Sequence, residues 1–301
     1  MLDNTKVAII LLNWNGKNDT IECLESIKQI TYPNFEILLV DNGSTDGSVK
    51  YFSEQYPDIE IIDNKNNMGY AEGNNVGIRK AMKNGADYVL LLNNDTVVDP
   101  VFLDEMVNVA QSNPNIGFAG PKVYYYNYNQ KKDVINFAGG KLDMWKGKTY
   151  HIGLNKVDNG QYDEIKEVDY VEGSCLLLRK EVINKIGLFD PSYFAYWEEN
   201  DLCMRGHKAG YISIFVPKAK IWHKIAASNT NNKKIYYLTR NQFWFIKRYA
   251  AWYKYLIFLL CFFIFQLWFT GGIIALYHRD FKTLKSFLKA ILHGLMPSLV
   301  V

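Results

Sequence analysis

The sequence predicts an α/β fold in which a mixed, mainly parallel sheet is covered by helices on both faces. Short apolar runs rich in β-branched residues recur between residues 7 and 216. Amphipathic stretches with helical periodicity separate these runs, and such alternation is typical of parallel strands joined by helices. The chain of 301 residues is long enough for one substantial core with an appendage.

The predicted elements follow one another regularly as far as residue 126. Strands are expected at Val7–Leu12, Phe35–Val40, Ile59–Ile62, Tyr88–Leu92 and Ile116–Tyr126, and helices at Asp19–Ile30, Ser48–Gln55, Ala71–Asn84 and Val101–Ser112. A polar stretch punctuated by glycines, residues 128–169, predicts excursion strands and loops. Further strands are expected at Val171–Arg179 and Ile212–Val216, the latter ending at Pro217, and helices at Lys180–Ile186 and Asn200–Ala209.

The composition becomes aromatic and basic after residue 232, which predicts an α/β domain over residues 1–232 and a helical, membrane-associated region over residues 233–301. Residues 255–277 carry no charge, and such a length can cross a bilayer. Basic residues flank both ends, so a span and a shallow insertion both remain open. Residues 281–295 predict an amphipathic helix at the membrane interface, in contact with lipids.

Charge and cysteine content exclude some classes of function. The formal net charge of +3 is too small to indicate a nucleic-acid partner. The four cysteines show neither a CxxC pair nor zinc-site spacing, so reduced thiols are expected. The N-terminal apolar run is too short for a secretory signal, which predicts a cytoplasmic location for the α/β domain. The oligomeric state is not predictable from these features.

Polar residues follow two of the predicted strands. In open α/β sheets, ligands bind where strands end, so these residues are candidates for a binding site. Asp41 can accept from a base or a ribose hydroxyl, and Asp95, in the run Asn93-Asn94-Asp95, can bind a divalent cation. Taken singly, each of these segments also reads as an ordinary turn or helix cap.

Three further segments carry polar groups that suit chemistry. The acidic run from Glu198 to Asp201 crowds carboxylates, and a carboxylate with a raised pKa can serve as a general base. A solvated helix N-terminus would look the same. His223 can complete a cation site with Asp95. Gly69 and Asn74 lie near a helix start, where backbone N–H groups can meet phosphate or ribose.

These motifs occur in a fixed order that resembles the family-2 glycosyltransferases with the Rossmann-like GT-A fold, in particular their rhamnosyltransferase-like branch. The resemblance covers roughly residues 7–228. It is carried by Asn13-Trp14-Asn15-Gly16, by Val40 to Gly47, by Asn67 to Ala71, by Leu92 to Thr96, by Gly187 to Asp190, by Glu198 to Arg205 and by Trp222-His223.

The resemblance implies an inverting transfer of a sugar from a UDP-, dTDP- or GDP-linked donor to a hydroxyl of a lipid-linked saccharide or surface polysaccharide. It implies Glu199 as the catalytic base and Mg²⁺ or Mn²⁺ held by Asp95 and His223. The residues implied to bind the nucleotide sugar are Asn13, Asn15, Asp41, Gly69, Asn74, Asn93 and Asn94, and those implied to bind the acceptor are Trp197, Glu198, Asp201, Gly173 and Ser174. The expected location is the cytoplasmic face of the cell membrane.

Two alternatives remain open at this point. Asn93 stands at the first position of the family's Asp-x-Asp motif, so the metal affinity is open and a catalytically silent GT-A binding subunit stays conceivable. A polyprenyl-phosphate acceptor is the enzymatic alternative. Such an acceptor is already anionic and needs no base, so the acidic run at residues 198–201 argues against it.

Overall fold

The computed structural model describes residues 5–224 and 231–299, so residues 225–228 of the expected resemblance lie outside it. It confirms the mixed α/β sheet. The strands are β1 (Val7–Asn13), β2 (Phe35–Asp41), β3 (Glu60–Asp63), β4 (Tyr88–Asn93), β5 (Thr96–Val98), β6 (Ile116–Tyr125), β7 (Val134–Phe137), β8 (Gly140–Asp143), β9 (Lys148–His151), β10 (Lys156–Val157), β11 (Lys166–Val168), β12 (Cys175–Arg179) and β13 (Ile212–His223). The helices before residue 225 are α1 (Lys17–Ile27), α2 (Ser48–Gln55), α3 (Gly69–Lys83), α4 (Phe102–Ser112), α5 (Lys180–Ile186) and α6 (Glu198–Lys208).

One half of the main sheet is parallel, with the strand order β4-β1-β2-β3. Apart from their final asparagines, β1 and β4 are apolar, and they are buried along nearly their whole length, as expected for strands covered on both faces. In the parallel register Asn13 lies beside Asp41, and Leu12 lies beside Asn93. The polar ends of three neighbouring strands therefore meet at one edge.

The other half of the sheet is largely antiparallel, with β12 between β4 and β6. The expected strand from Val171 begins only at Cys175, so the preceding residues form irregular backbone beside the polar edge. The excursion predicted for residues 128–169 contributes β7, β10 and β11 to the main sheet and forms the separate hairpin of β8 and β9.

The last strand of the sheet is longer than predicted. The expected end at Pro217 is wrong, because β13 continues to His223 and absorbs the proline at an irregularity between Val216 and Lys220. Its final residues pair with β5, a short strand that the sequence did not indicate, and this pairing sets His223 opposite Thr96. The pairing brings His223 next to Asp95.

The region after residue 230 is helical. Helix α7 (Asn231–Tyr249) is followed by the apolar helix (Trp252–Tyr277), which contains two π-type turns, and by the amphipathic helix (Phe281–Leu295), whose bounds match the prediction. The predicted domain boundary at residue 232 falls inside α7. Phe243 and Phe245 of α7 are fully buried in a second core that also includes Tyr193 and Trp197 of the α/β part.

The apolar helix is the one helix in the described chain that is long and apolar enough to cross a membrane. It is 26 residues long, and 17% of its most apolar window is buried. Its outward face carries the exposed side chains of Leu260, Ile264, Phe265, Trp268 and Phe269. A helix with such an exposed apolar face needs a partner or a lipid surface to cover it.

Candidate active site

Asparagine side chains tie the strand ends of the polar edge together. The Asn13 amide donates to Asp41 Oδ2 over 2.7 Å, and the Asn94 amide donates to Asn13 Oδ1 over 3.1 Å. The Ser44 backbone N–H donates to the other Asp41 oxygen, also over 2.7 Å. Both carboxylate oxygens of Asp41 are thus engaged, and the residue is 1% exposed.

A cavity of about 520 Å³ opens above this edge, and we call it the donor-side cavity. Of the residues expected to bind a nucleotide sugar, Asn15, Gly69, Asn93 and Asn94 line it, together with Asp95. Asn13, Asp41 and Asn74, which the resemblance also implies for this ligand, are buried and do not line the cavity. Their side chains are used in internal hydrogen bonds, including the one from Asn74 to the Tyr70 carbonyl.

Position 69 requires a glycine because of its backbone conformation and the atoms of Phe194 next to it. Its φ of +81° is one that side chains disfavour, and a Cβ at this position would lie 2.6 Å from the Phe194 ring and the Phe194 carbonyl oxygen. The same carbonyl accepts hydrogen bonds from the backbone N–H groups of Tyr70 and Ala71. The start of α3 is thereby fastened to the loop that precedes α6.

Asp95 and His223 meet at the boundary of the donor-side cavity. His223 Nε2 lies 3.1 Å from Asp95 Oδ1, and His223 Nδ1 lies 3.6 Å from Glu172 Oε1. Burial lowers the pKa of His223, but the contacts with Asp95 and Glu172 outweigh burial and raise it to about 10. The pKa of Glu172 is raised by burial and lowered more strongly by His223 and His151, so Glu172 is ionised at neutral pH.

Glu198 and Glu199 occupy the first turn of α6, two residues earlier than the expected helix start. Burial and the neighbouring charge of Glu199 raise the pKa of Glu198 well above its usual range. Burial also raises the pKa of Glu199, to about 7. The two acids therefore retain a proton between them near neutral pH. Glu198 has the more strongly raised pKa, so Glu199 is the member that ionises first, as a general base requires.

A second cavity, of about 470 Å³, contains this acidic pair, and we call it the acceptor-side cavity. Glu172, Gly173, Ser174, Trp197 and His223 also line it. It shares Tyr70, Asn93, Ala195, Tyr196 and Lys234 with the donor-side cavity. The two cavities therefore form one continuous cleft, which joins Asp95 to Glu199 through His223.

Buried polar atoms without partners are concentrated in the acceptor-side cavity. Nine buried side-chain nitrogen or oxygen atoms in the described chain have no hydrogen-bond partner. Seven of them belong to residues that line this cavity, namely Tyr170, Glu172, Ser174, Glu198, Glu199, Asn200 and His223. Unpaired buried polar groups cost free energy, and a ligand rich in hydroxyl groups would satisfy them.

Asp201 does not face the cleft, contrary to the expectation that it binds an acceptor. Its side chain is fully buried, and its carboxylate accepts from Arg205 Nε over 2.8 Å, from Arg248 Nη1 over 2.9 Å and from the Tyr249 hydroxyl over 2.7 Å. These partners belong to α6 and α7. Asp201 therefore joins the helix of the acidic pair to the C-terminal region.

The loop before α6 has an unusual backbone that α7 supports. Phe194, Tyr196 and Trp197 all have positive φ values, at a cost on the order of 1–3 kcal/mol each. The Asn241 side-chain amide lies within 2.9 Å of the carbonyl oxygens of Tyr193 and Ala195 and within 2.8 Å of that of Tyr196. The helix thus holds the strained loop, and with it the acidic pair.

Sequence reasoning missed several residues of the cleft. Glu172 falls within the strand expected at Val171–Arg179, and Lys234 is one of the basic residues that precede the uncharged stretch. Glu172 could have been noticed as an acid directly before Gly173-Ser174, next to an apolar strand. Tyr70 lies within the motif from Asn67 to Ala71 without a role assigned to its side chain, and Tyr196 carries no signal beyond its aromatic character.

The family comparison agrees with this geometry. Residues 8–187 match the model of glycosyl transferase family 2, which is more than half of the chain. The chain belongs to glycosyl transferase family 2. It is therefore a glycosyltransferase, and its two-part cleft matches the need of such an enzyme to hold a sugar donor and an acceptor together.

Relatives of this glycosyltransferase act in glycan assembly. It is 29% identical over 223 residues to the N-acetylglucosaminyl-diphospho-decaprenol L-rhamnosyltransferase of Mycobacterium tuberculosis, covering 68% of this chain and 71% of that protein. It is also 29% identical over 210 residues to a low-salt glycan biosynthesis hexosyltransferase of Haloferax volcanii, covering 69% and 63% of the two chains.

Solved structures show the same fold. The mannosyltransferase PcManGT of Pyrobaculum calidifontis, determined in complex with GDP-Man and Mn²⁺, superposes with a TM-score of 0.60 at 15% identity. The match covers 98% of the glycosyltransferase chain and 89% of the mannosyltransferase. This similarity confirms the GT-A fold predicted from the sequence.

Proposed function

We propose that this glycosyltransferase moves a sugar from a nucleotide-diphosphate donor to a hydroxyl of a lipid-linked saccharide, with inversion of the anomeric centre and with Glu199 as the base. The observation that carries the proposal is the position of Glu199. Its carboxylate, with a pKa of about 7, lies among unpaired polar groups in the cavity that adjoins the donor side of the cleft.

The donor-side cavity supports a nucleotide sugar as the donor. Asn15, Asn93 and Asn94 offer amide groups there, and Lys233 offers a cation to a diphosphate. From behind the wall, Asp41 accepts from Asn13, and Asn13 accepts in turn from the Asn94 amide, so Asn94 is held in place. Asn93, in place of the family's acid, supplies hydrogen bonds without adding negative charge next to the phosphates.

Asp95 and His223 fit a divalent cation. A carboxylate oxygen and a neutral imidazole nitrogen 3.1 Å apart are ligands that Mn²⁺ and Mg²⁺ accept in proteins. His223, whose pKa is raised by Asp95 and Glu172, would release its Nε2 proton when the cation binds. The described residues contain no cluster of three or more candidate ligands, so these two residues would share the ion with the donor's oxygens. A bound cation would neutralise charge on the leaving diphosphate.

The acidic pair supplies the proton transfer. The acceptor hydroxyl gives its proton to Glu199 while its oxygen forms a bond to the anomeric carbon. The bond from that carbon to the donor's diphosphate oxygen breaks at the same time, and the nucleotide diphosphate departs. One displacement inverts the centre. Glu198 keeps its proton and can donate a hydrogen bond within the site.

The lipid-linked nature of the acceptor is supported by the C-terminal helices and by the relatives. The mycobacterial relative is named for an acceptor linked to decaprenol. The exposed face of the apolar helix would place the cleft at a membrane surface, where such acceptors reside. We place the cleft at the cytoplasmic face, where nucleotide sugars are available.

A donor panel tests the function. The purified enzyme is incubated with UDP-, dTDP- and GDP-linked sugars, with a chelator or with added Mn²⁺ or Mg²⁺, and release of the nucleotide is measured. We expect hydrolysis of one donor class, lost with chelator and restored by the ion. An Asp95→Asn variant should need more metal. Absence of hydrolysis with every donor, with or without an acceptor, would favour the silent binding subunit.

The pH dependence of sugar transfer should follow the ionisation of the Glu199 carboxylate. Because the base must be ionised and its pKa is about 7, kcat/KM should fall as pH drops below about 7 and level off above it. The measurement is a profile of initial rates from pH 5.5 to 9 at saturating metal. Rates that rise as the solution becomes more acidic would contradict Glu199 acting as a base.

A further inference from the structure

A groove of about 480 Å³ lies beside the cleft, among the three C-terminal helices. We call it the membrane-side groove. It is lined by Lys234, Ile235 and Leu238 of α7, by Thr270, Ile273 and Ile274 of the apolar helix, and by His278, Asp280 and Thr283 around the start of the amphipathic helix. Its middle is apolar, and one of its walls is the helix that suits a bilayer.

The groove is continuous with the cleft. Lys234 and Leu238 line both the membrane-side groove and the acceptor-side cavity, and Lys234 lines the donor-side cavity as well. A molecule lying in the groove can therefore reach Glu199 past Lys234. Along the path from the acceptor-side cavity into the groove, the acidic pair comes first, Lys234 follows, and the apolar surface of the helices comes last.

The charges at the junction favour an anion. Lys233 and Lys234 are exposed, and within residues 5–224 and 231–299 neither forms an ion pair with a carboxylate. Asp280 is the one acid among the groove residues given above, and both of its oxygens accept from Thr283 as a helix cap. The unpaired positive charge thus lies at the end of the groove that meets the cleft.

We propose that the membrane-side groove binds the prenyl-diphosphate part of the lipid-linked acceptor. The diphosphate lies at Lys234, the hydrocarbon chain lies along Leu238, Ile273 and Ile274, and the saccharide enters the acceptor-side cavity. Such an acceptor has its saccharide at one end, its anionic diphosphate in the middle and its lipid chain at the other end. The protein presents matching surfaces in the same order, namely the acidic pair, Lys234 and the apolar wall of the groove. This inference rests on the proposed function for the saccharide part only.

Binding of farnesyl diphosphate tests the groove without requiring transfer. Affinity is measured in detergent micelles, alongside farnesol and inorganic diphosphate. An excess of UDP, dTDP and GDP keeps the donor-side cavity filled. Ile273→Asp places a charge on the groove wall, and Leu276→Asp places the same charge on the same helix at a side chain that is 79% exposed. Lys234→Gln is paired with Lys247→Gln, another lysine of α7.

We expect farnesyl diphosphate to bind more tightly than either of its parts. Ile273→Asp should weaken it by about tenfold, since a charge replaces an apolar contact, and should leave inorganic diphosphate binding unchanged. Lys234→Gln should weaken both diphosphates. Leu276→Asp and Lys247→Gln should bind as the unaltered protein does.

Equal affinities for farnesyl diphosphate in Ile273→Asp and Leu276→Asp would overturn the groove assignment. So would a Lys234→Gln variant whose only defect is weaker nucleotide binding, because the lysine would then serve the donor. The donor panel is read separately. If farnesyl diphosphate binds selectively but no sugar is transferred, the proposed function is rejected and the groove assignment stands. If sugar is transferred but farnesyl diphosphate does not bind selectively, the groove assignment is rejected and the proposed function stands.

Discussion

Glu199→Gln is expected to lower kcat for sugar transfer by about 10²- to 10⁴-fold and to leave the KM for the nucleotide sugar nearly unchanged. The amide keeps the size of the side chain but cannot accept the acceptor's proton. The donor-side residues are untouched, because Glu199 lines only the acceptor-side cavity of the two. Initial rates against donor concentration, at saturating acceptor and metal, provide the measurement.

Glu198→Gln is the matched control for this experiment. Because Glu198 already holds a proton at neutral pH, an amide reproduces much of its hydrogen-bonding ability. We expect this variant to keep most of its activity and its loss of rate at low pH. If the two variants exchanged behaviours, Glu198 would be the base. Equal and small effects in both would mean that the acceptor arrives already ionised, as a polyprenyl phosphate does.

Asp201→Ala is expected to lower the free energy of unfolding by about 3 kcal/mol, because it leaves Arg205 without its buried partner and removes the anchor of Arg248 and Tyr249. This follows from its complete burial and separates a structural role from the acceptor-binding role expected from the sequence. The measurement is the urea midpoint of the enzyme in detergent micelles.

The control for Asp201 is Glu25→Ala, which breaks a surface ion pair with Lys28 and should cost less than about 1 kcal/mol. Active Asp201→Ala enzyme, assayed well below its unfolding midpoint, should retain the normal KM for acceptor. A variant of normal stability with a raised acceptor KM would restore Asp201 to the acceptor site.

The parallel half of the molecule was predictable from local patterns. Buried strands such as Val7–Asn13 and Tyr88–Asn93 read as apolar runs, and parallel strands bring their carboxyl ends together whatever the details of packing. This is why Asp41 and Asn93, which end two different strands, were both candidates for one sheet edge and lie at the same edge. The amphipathic helix was equally clear, since its apolar stripe depends on local spacing alone.

The remaining features depend on contacts between distant segments. His223 lies near Glu172 because β13 continues past Pro217 and pairs with β5. No local sequence pattern predicts that a strand will continue past a proline. Whether Asp41 and Asp201 face a ligand or the interior is likewise decided by neighbours from other elements. Sequence reasoning named Asp41 among the binding residues but could not tell the wall of a cavity from the support behind it.

The grip of Asn241 on the loop before α6 has a practical consequence for anyone who wishes to simplify this enzyme. Cutting the chain at residue 232 would discard the Asn241 amide, which lies within hydrogen-bonding distance of three backbone carbonyls, and the Phe245 ring that packs against Trp197. A shortened, water-soluble form would need to retain α7 and to replace the apolar surface that its lost neighbours now shield. The C-terminal region therefore also supports the loop that carries the acidic pair, in addition to any role at the membrane.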